Sequence, residues 1–470
     1  MIKIGELFDI EKGSVQSSKC IEGEYDFITA SGEWKTHNEY THDCEALIFA
    51  MGASGSLGRT HYVKGKFVSS DLCFILTPKE KYKAELNLRF YYYYFNTFRE
   101  KIVKVTATGT SKLAINRKIF SNYKIHFIDI DKQTALIDKI EEMQVFSKKL
   151  LTEVERQENC ISSLRQSILQ QAVEGKLCEQ DPNDEPASVL LEKIKAEKLA
   201  ICKSKKEISY FENEFSKVKI DNNTLFITAE LICDYITKGT TPKTDELLDN
   251  GEIPYLKVYN IVNNKIDFFY RAQYVSKETH NNFLTRSKVY PSDVLTNIVG
   301  PPLGKVAIVP SNFDEWNINQ AIAIFRALSN VLPQYLYLVL LEGKAINKIV
   351  TVGTAGQDNI SLAQCRNIII PLPLLAKQQR IVEKVGRLMA LCDQLEQEVS
   401  NAKKYSSQLM EAVLQEAFNG AKDKQNNVFE FSLKPQEKKE ELLAAARGKL
   451  RQDTWENLRK RALELAGEES

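Results

Sequence analysis

The sequence predicts an α+β protein built by internal duplication: two α+β globular parts in tandem, separated by two long antiparallel coiled-coil helices with pseudo-two-fold symmetry. Three observations predict it. First, residues 115–175 align with 360–420 at a constant offset of 245, without gaps, and 15 of the 61 pairs are identical. Average composition would give about 4 by chance, so duplication is the better explanation. Second, both copies carry apolar heptads. Third, the segment ahead of each copy mixes short apolar stretches with glycine turns, as strands in an α+β domain do.

Residues 1–130 form the first globular part. Ala46–Ala50 and Leu72–Leu76 read as strands, and residues 87–100, aromatic from Phe90 to Phe95, as a short helix whose Tyr91–Tyr94 cluster packs core and rim. Residues 131–177 form the first long helix. Ile140, Ser147, Val154, Ile161 and Ile168 recur every seven residues, with Met143, Leu150, Gln157 and Leu164 three later, which is an a/d seam. Gly175 stands where a C-terminal cap belongs. Residues 178–222 form a linker: a breaker-rich turn over Asp181–Pro186, a helix over 187–203 and a polar stretch after it. Residues 223–372 form the second globular part, with a strand over Ala321–Phe325 and a helix over 333–347. Residues 373–420 form the second long helix, with Val385, Cys392, Val399, Ser406 and Val413 at a, Leu388, Leu395, Ala402 and Leu409 at d, and Gly420 as its cap. Residues 421–470 form a charged tail, helical by composition, broken at Pro435.

The duplication extends upstream. Leu57-Gly58-Arg59 resembles Leu303-Gly304-Lys305, and Ile10-Glu11-Lys12-Gly13 resembles Ile236-Thr237-Lys238-Gly239. A helix of about 42 residues rises roughly 63 Å. Such a helix can hold two unlike domains a fixed distance apart. The seam residues that hold the spacer are Ile140, Leu150, Val154, Ile161 and Leu164 in one helix, and Val385, Leu388, Leu395, Val399 and Leu409 in the other.

Bulk properties fit a soluble globular protein of 470 residues, 43% apolar and 27% charged. No apolar run reaches membrane-span length, and Met1–Ile10 lacks a signal pattern, so a cytoplasmic location is expected. The nine cysteines form no CxxC pair, which argues against a disulfide framework or a zinc ribbon. His37, His42 and Cys44 lie close together but read as a polar loop, and no metal site is expected. A net charge of +1 puts any phosphate-attracting field on a local face rather than on the whole molecule.

The chain resembles the specificity subunit of type I restriction–modification enzymes. Three features carry the resemblance over roughly residues 1–420. One is Gly353-Thr354 through Asn359-Ile360 to Ile370-Pro371-Leu372-Pro373 and Gln378-Gln379-Arg380-Ile381-Val382. A second is Gly175-Lys176-Leu177 with Gln180–Ser188 and Leu190–Glu197. The third is the two-half layout. The first half departs from the pattern, with His126-Phe127-Ile128 where the second has Pro371-Leu372-Pro373, so its lead-in to the helix is looser. The resemblance implies that the globular parts are target-recognition domains for an asymmetric two-part site in double-stranded DNA. It implies partners too: two modification (methyltransferase) subunits and two motor–nuclease (restriction) subunits. S-adenosylmethionine, ATP and Mg²⁺ would then sit on those partners and not on this chain.

Base readout needs directional side chains, and phosphate contacts need cations. Candidates beside glycine-rich loops are Ser54, Arg59, Lys64 and Lys112 in the first part, and Lys243, Lys305 and Gln357 in the second. The loops Gly52–Gly58 and Gly300–Gly304 let backbone approach closely. No catalytic residues are expected. Gly300-Pro301-Pro302-Leu303 lacks the polar first residue and the aromatic of a methyltransferase motif. Gly52–Thr60 does not fit P-loop spacing. Asp129-Ile130-Asp131-Lys132 reads as the start of a helix with surface charge. Two other readings stay open: a specificity subunit for a combined cutting-and-methylating system, and a coiled-coil scaffold that does not touch DNA.

Overall fold

The computed structural model describes residues 1–53, 55–109, 113–347, 349 and 358–419; within 406–419, side chains are described at 408, 414 and 418. The described chain divides into two compact units, one holding Met1–Gln157 and the chain from Val399, the other Glu158–Glu398. Two long helices, Ile130–Val173 and Leu375–Asn419, are 44 and 45 residues long, and each contributes part of its length to both units. Helix and sheet are mixed in each unit.

The first unit is built on a six-stranded sheet. Its strand order is Phe8–Lys12, Cys73–Pro78, His42–Ala50, Thr60–Ser69, Tyr25–Ile28 and Lys35–His37. Only the pairing of Tyr25–Ile28 with Thr60–Ser69 is parallel. The central strand alternates its side chains between two faces, as a pleated strand must. Leu47 and Phe49 join a core with Phe8, Phe74, Leu76, Tyr91 and Phe95. Ala46, Ile48 and Ala50 join another with Ile28, Val63, Phe67 and Ile75. The helix Leu88–Thr97 buries Phe90, Tyr91, Tyr94 and Phe95 on the first of these faces. Each large side chain so buried contributes about 1.5–3 kcal/mol. Ile140 of the first long helix and Phe418 of the second complete that core, with the Phe90 and Phe418 rings 5.4 Å apart.

The second unit repeats the frame. The strands Cys233–Lys238, Ile322–Ala327, Val294–Asn297 and Val306–Ile308 form an antiparallel sheet. Their order matches that of Phe8–Lys12, Cys73–Pro78, His42–Ala50 and Thr60–Ser69. The matched glycines sit alike. The Gly13 amide donates to Cys73 O and the Gly239 amide to Ile322 O, each at 3.0 Å. A Cβ on either would press to 2.1 Å from a backbone oxygen. Beside this sheet lies a second, Tyr274–Val275, Ile253–Leu256, Trp316–Ile318 and Lys288–Val289, around a fully buried Trp316. Thr224–Thr228 pairs over five residues with Ile369–Pro373, which leads into the second long helix. The first unit has only Ile2–Lys3 against Lys124–Ile125 there, the looser lead-in expected from His126-Phe127-Ile128.

The long helices meet inside the second unit. Arg165 grips Asp393 at 2.5 Å and Glu396 at 3.0 Å. The turn after Gly175, which ends the first long helix at φ +70°, folds back so that Asp184 pairs with both terminal nitrogens of Arg380. Seam positions Ile140, Val154, Ile161, Val385, Leu388, Leu395 and Val399 are buried, while Leu150 and Leu164 are half-buried. The side chains of Ser406, Leu409 and Val413, and all of Gly420 and the tail, lie outside the described residues.

Several local expectations need correction. The polar stretch after the 187–203 helix is itself a helix, Lys205–Phe215, whose N-cap Ser204 accepts the Glu207 amide. It pairs with Ala187–Ala200 against the second unit, where buried Lys198 donates to Cys233 O at 2.6 Å under the Phe211 ring. The 87–100 helix breaks at Phe98 into two. The 333–347 helix breaks at Gly343, where φ is +84°. His37, His42 and Cys44 lie on strands rather than a loop. His37 accepts the Ile21 amide and His42 stacks on Phe67.

Candidate nucleic-acid interface

In the first unit the loop Gly52–Gly58 is held from behind by Arg99. Its guanidinium donates to Leu57 O at 2.6 Å and Gly55 O at 2.7 Å. Desolvation, and then the Arg59 charge, holds the Arg99 pKa below its ordinary value. Gly58 has φ +77°, and a Cβ there would meet Val103 at 2.5 Å, so only glycine lets the loop lie this close to the helix. Arg59 follows at once, half-buried, with its guanidinium 3.4 Å from where a Cβ on Gly32 would stand. The Trp34 indole donates to His61 Nδ1 at 3.2 Å on the same side. Burial lowers the His61 pKa and favours the neutral ring that can accept this bond. Lys64 is exposed but sits within a strand, opposite Glu45, rather than on a loop. Ser54 and Lys112 lie outside the described residues.

In the second unit Gly304 repeats the Gly58 conformation, also at φ +77°. The Asn297 side chain braces this loop, accepting the Lys305 amide at 2.7 Å and donating to Pro302 O at 2.7 Å. Lys305 is half-buried and its ammonium donates to Ile261 O at 3.2 Å, which ties it to the frame. Lys243 is exposed, and its amide donates to Glu246. Gln357 lies outside the described residues. Among the described residues no group of three or more His, Cys, Asp or Glu side chains converges as a metal site, and no helix is long and apolar enough to cross a membrane.

Sequence reasoning missed two surface features. Trp34 is 40% exposed in a polar turn, with its indole bonded to His61. In the second unit Phe269 is 73% and Tyr270 50% exposed, and the Arg271 guanidinium lies 5.4 Å from the Tyr270 ring. That tip is rigid. Buried Asn260 donates to the carbonyls of Asp267, Phe268 and Tyr270, and Phe268 is anchored in the core. The available signal was the string Phe268-Phe269-Tyr270-Arg271 after an Asn263-Asn264 turn. Periodicity could not say which ring faces water.

The family model described as "Type I restriction modification DNA specificity domain" matches residues 1–156 and 229–403. The chain belongs to that family. In this type I specificity protein each matched segment runs from a globular part into a long helix, so the family unit is the duplicated unit. Among relatives from Escherichia coli, the type I restriction enzyme EcoBI specificity subunit is 23% identical over 375 residues, covering 79% of this chain and 72% of the relative. The EcoAI specificity subunit is 30% identical over 274 residues, covering 54% and 44%. Among solved structures, the HsdS subunit from Thermoanaerobacter tengcongensis superposes with a TM-score of 0.52 at 15% identity, covering 89% of this chain and 96% of that one. A chain from a study of type I restriction–modification assembly and conformational transition reaches 0.61 at 14%, covering 89% and 97%. These structures share the fold.

Proposed function

We propose that this specificity subunit reads an asymmetric, two-part site in double-stranded DNA, with residues 1–130 and 223–372 as its two target-recognition domains. The observation that carries the reading is one frame bearing two different surfaces. Strand order and the φ of Gly58 and Gly304 coincide. The neighbouring side chains do not: Trp34, Arg59 and His61 in one unit, Lys243, Lys305 and the Phe269–Arg271 tip in the other. Like frames present readers to DNA in like poses, and unlike residues select unlike bases. Residues 131–177 and 373–420 then act as a spacer, an antiparallel coiled coil with pseudo-two-fold symmetry that makes distance part of the recognised code. The segment 178–222 joins the halves. Two modification subunits and two motor–nuclease subunits are recruited to this frame, and S-adenosylmethionine, ATP and Mg²⁺ are bound by them.

The test is co-expression with the modification subunit, followed by mapping of methylated adenines on a plasmid library. A single asymmetric motif in two parts with a fixed gap supports the reading. A coiled-coil scaffold without DNA contact predicts no motif, and no steep salt dependence of DNA retention by the purified complex.

A further inference from the structure

Gln133 and Gln378 occupy equivalent places in the duplication, each the fourth residue of a long helix. Both are fully buried, at 0% exposure. The Gln133 side chain accepts the Asn87 amide at 2.8 Å and donates to Ile128 O at 2.7 Å and Glu85 O at 2.8 Å. The Gln378 side chain accepts the Leu332 amide at 2.9 Å and donates to Pro373 O at 2.8 Å. Asn87 and Leu332 are themselves equivalent, and each is the N-cap of a ten-residue helix in its globular part, Leu88–Thr97 or Pro333–Glu342. Ile128 and Pro373 stand just ahead of the long helices. In each unit one amide therefore bonds the globular part with its oxygen and the helix approach with its nitrogen, and in the first the nitrogen also bonds Glu85 O of the globular part.

The chemistry explains why both copies kept glutamine. The bonded groups are backbone, so the clamp tolerates the change from Asn87 to Leu332 and from Ile128 to Pro373. The clamp itself must accept at one end and donate at the other. A carboxylate has no donor, an apolar chain has neither group, and asparagine is one carbon short. A free N–H at a helix start needs a partner, and here that partner belongs to the long helix. Directional bonds at both ends of one amide tie the two elements together.

We infer that Gln133 and Gln378 are positioning residues that lock each recognition domain at a fixed angle to its spacer helix, and so set how strictly the gap between half-sites is measured. The inference rests on the two-part reading above. Neither glutamine touches bases, so base preference at both half-sites is untouched by their loss. What changes is the tolerance to gap length.

The experiment uses the full chain assembled with its modification subunits, as wild type, Q133M and Q378M. Methionine matches the glutamine in length and lacks both polar groups. Methylation is read on two libraries, one varying the gap by up to two base pairs around the native length, the other randomising each half-site. The expected result is at least a tenfold rise, relative to wild type, in methylation of sites one base pair too long or too short, with unchanged half-site sequences. If Q378M does not fold, Q378N, which keeps the amide but withdraws it by one carbon, is read in the same libraries with the same two outcomes. An unchanged gap profile in folded variants overturns the inference, as does relaxed base preference. If wild type itself shows no two-part target, it is the functional reading that fails, and the two failures are distinguishable.

Discussion

Lengthening the spacer tests the ruler directly. Both long helices pass from one unit to the other, the first between Gln157 and Glu158 and the second between Glu398 and Val399. Four helix-forming residues inserted into each at that point advance the axis by about 6 Å, and turn it about 40° beyond one full turn. Two base pairs of DNA advance about 7 Å at roughly 3.4 Å each, and twist about 70° at 10–10.5 base pairs per turn. The mismatch is about 1 Å and 30°, so the variant is expected to methylate sites whose gap is two base pairs longer. A two-residue insertion in each helix is the control. It advances only about 3 Å but rotates by about 200°, turning one reader away from the duplex. It is expected to lose two-part recognition. The assay is adenine-methylation sequencing in cells carrying each variant with the modification subunit. An unchanged gap after the four-residue insertion, or equal activity of the two-residue variant, refutes the reasoning.

The remaining predictions concern single side chains. Arg380→Ala strips both bonds from Asp184, whose side chain is 5% exposed. With Arg380 partly in solvent, the loss is expected to be about 1–3 kcal/mol, seen as a lower urea midpoint with an unchanged slope. The Arg380 hydrogen bond holds the Asp184 pKa below its ordinary 3.8. That stabilisation is whole above about pH 4 and is lost as pH falls through the lower folded value, so the gap between wild type and variant must close on acidification and must not close on raising the pH. Burial pushes the Cys73 and Cys233 thiols up to about 12, whereas Cys160 is exposed on the first long helix. Iodoacetamide at pH 8 is therefore expected to label Cys160 well before either, and equal labelling by mass spectrometry would contradict the packing. Arg59→Ala is expected to relax one base of a single half-site by about 1–3 kcal/mol, since a guanidinium fork suits a base edge. Lys243→Ala is expected to weaken all sequences alike and lower the salt slope by about 1. Binding titrations over salt and sequence separate the two.

Periodicity made the long helices legible, because four to five heptads leave one apolar stripe and few other ways to bury it. The duplication located the frame. The repeated triplets around Gly58 and Gly304 mark positions that share one φ. Short elements were less legible. Lys205–Phe215 buries little apolar surface and reads as polar linker, yet Ser204 caps it and its neighbour Lys198 is buried against it. The split at Phe98 was hidden because no glycine or proline marks it. The surface was least legible of all. Lys305 looked available on a glycine loop, but its ammonium is bonded to Ile261 O across 44 residues. Trp34 and Phe269 are large apolar residues whose type alone does not tell a buried ring from an exposed one. Side-chain direction in loops is set by contacts far away in sequence, and local pattern carries no record of them.

The central claim is that one chain selects a target in two unlike halves. Exchanging residues 223–372 for the matching part of a relative with a different target, and mapping every methylated adenine, tests it most directly. The account predicts a hybrid motif: one half and the gap retained, the other half replaced. A motif that changes throughout, or does not change at all, would contradict it.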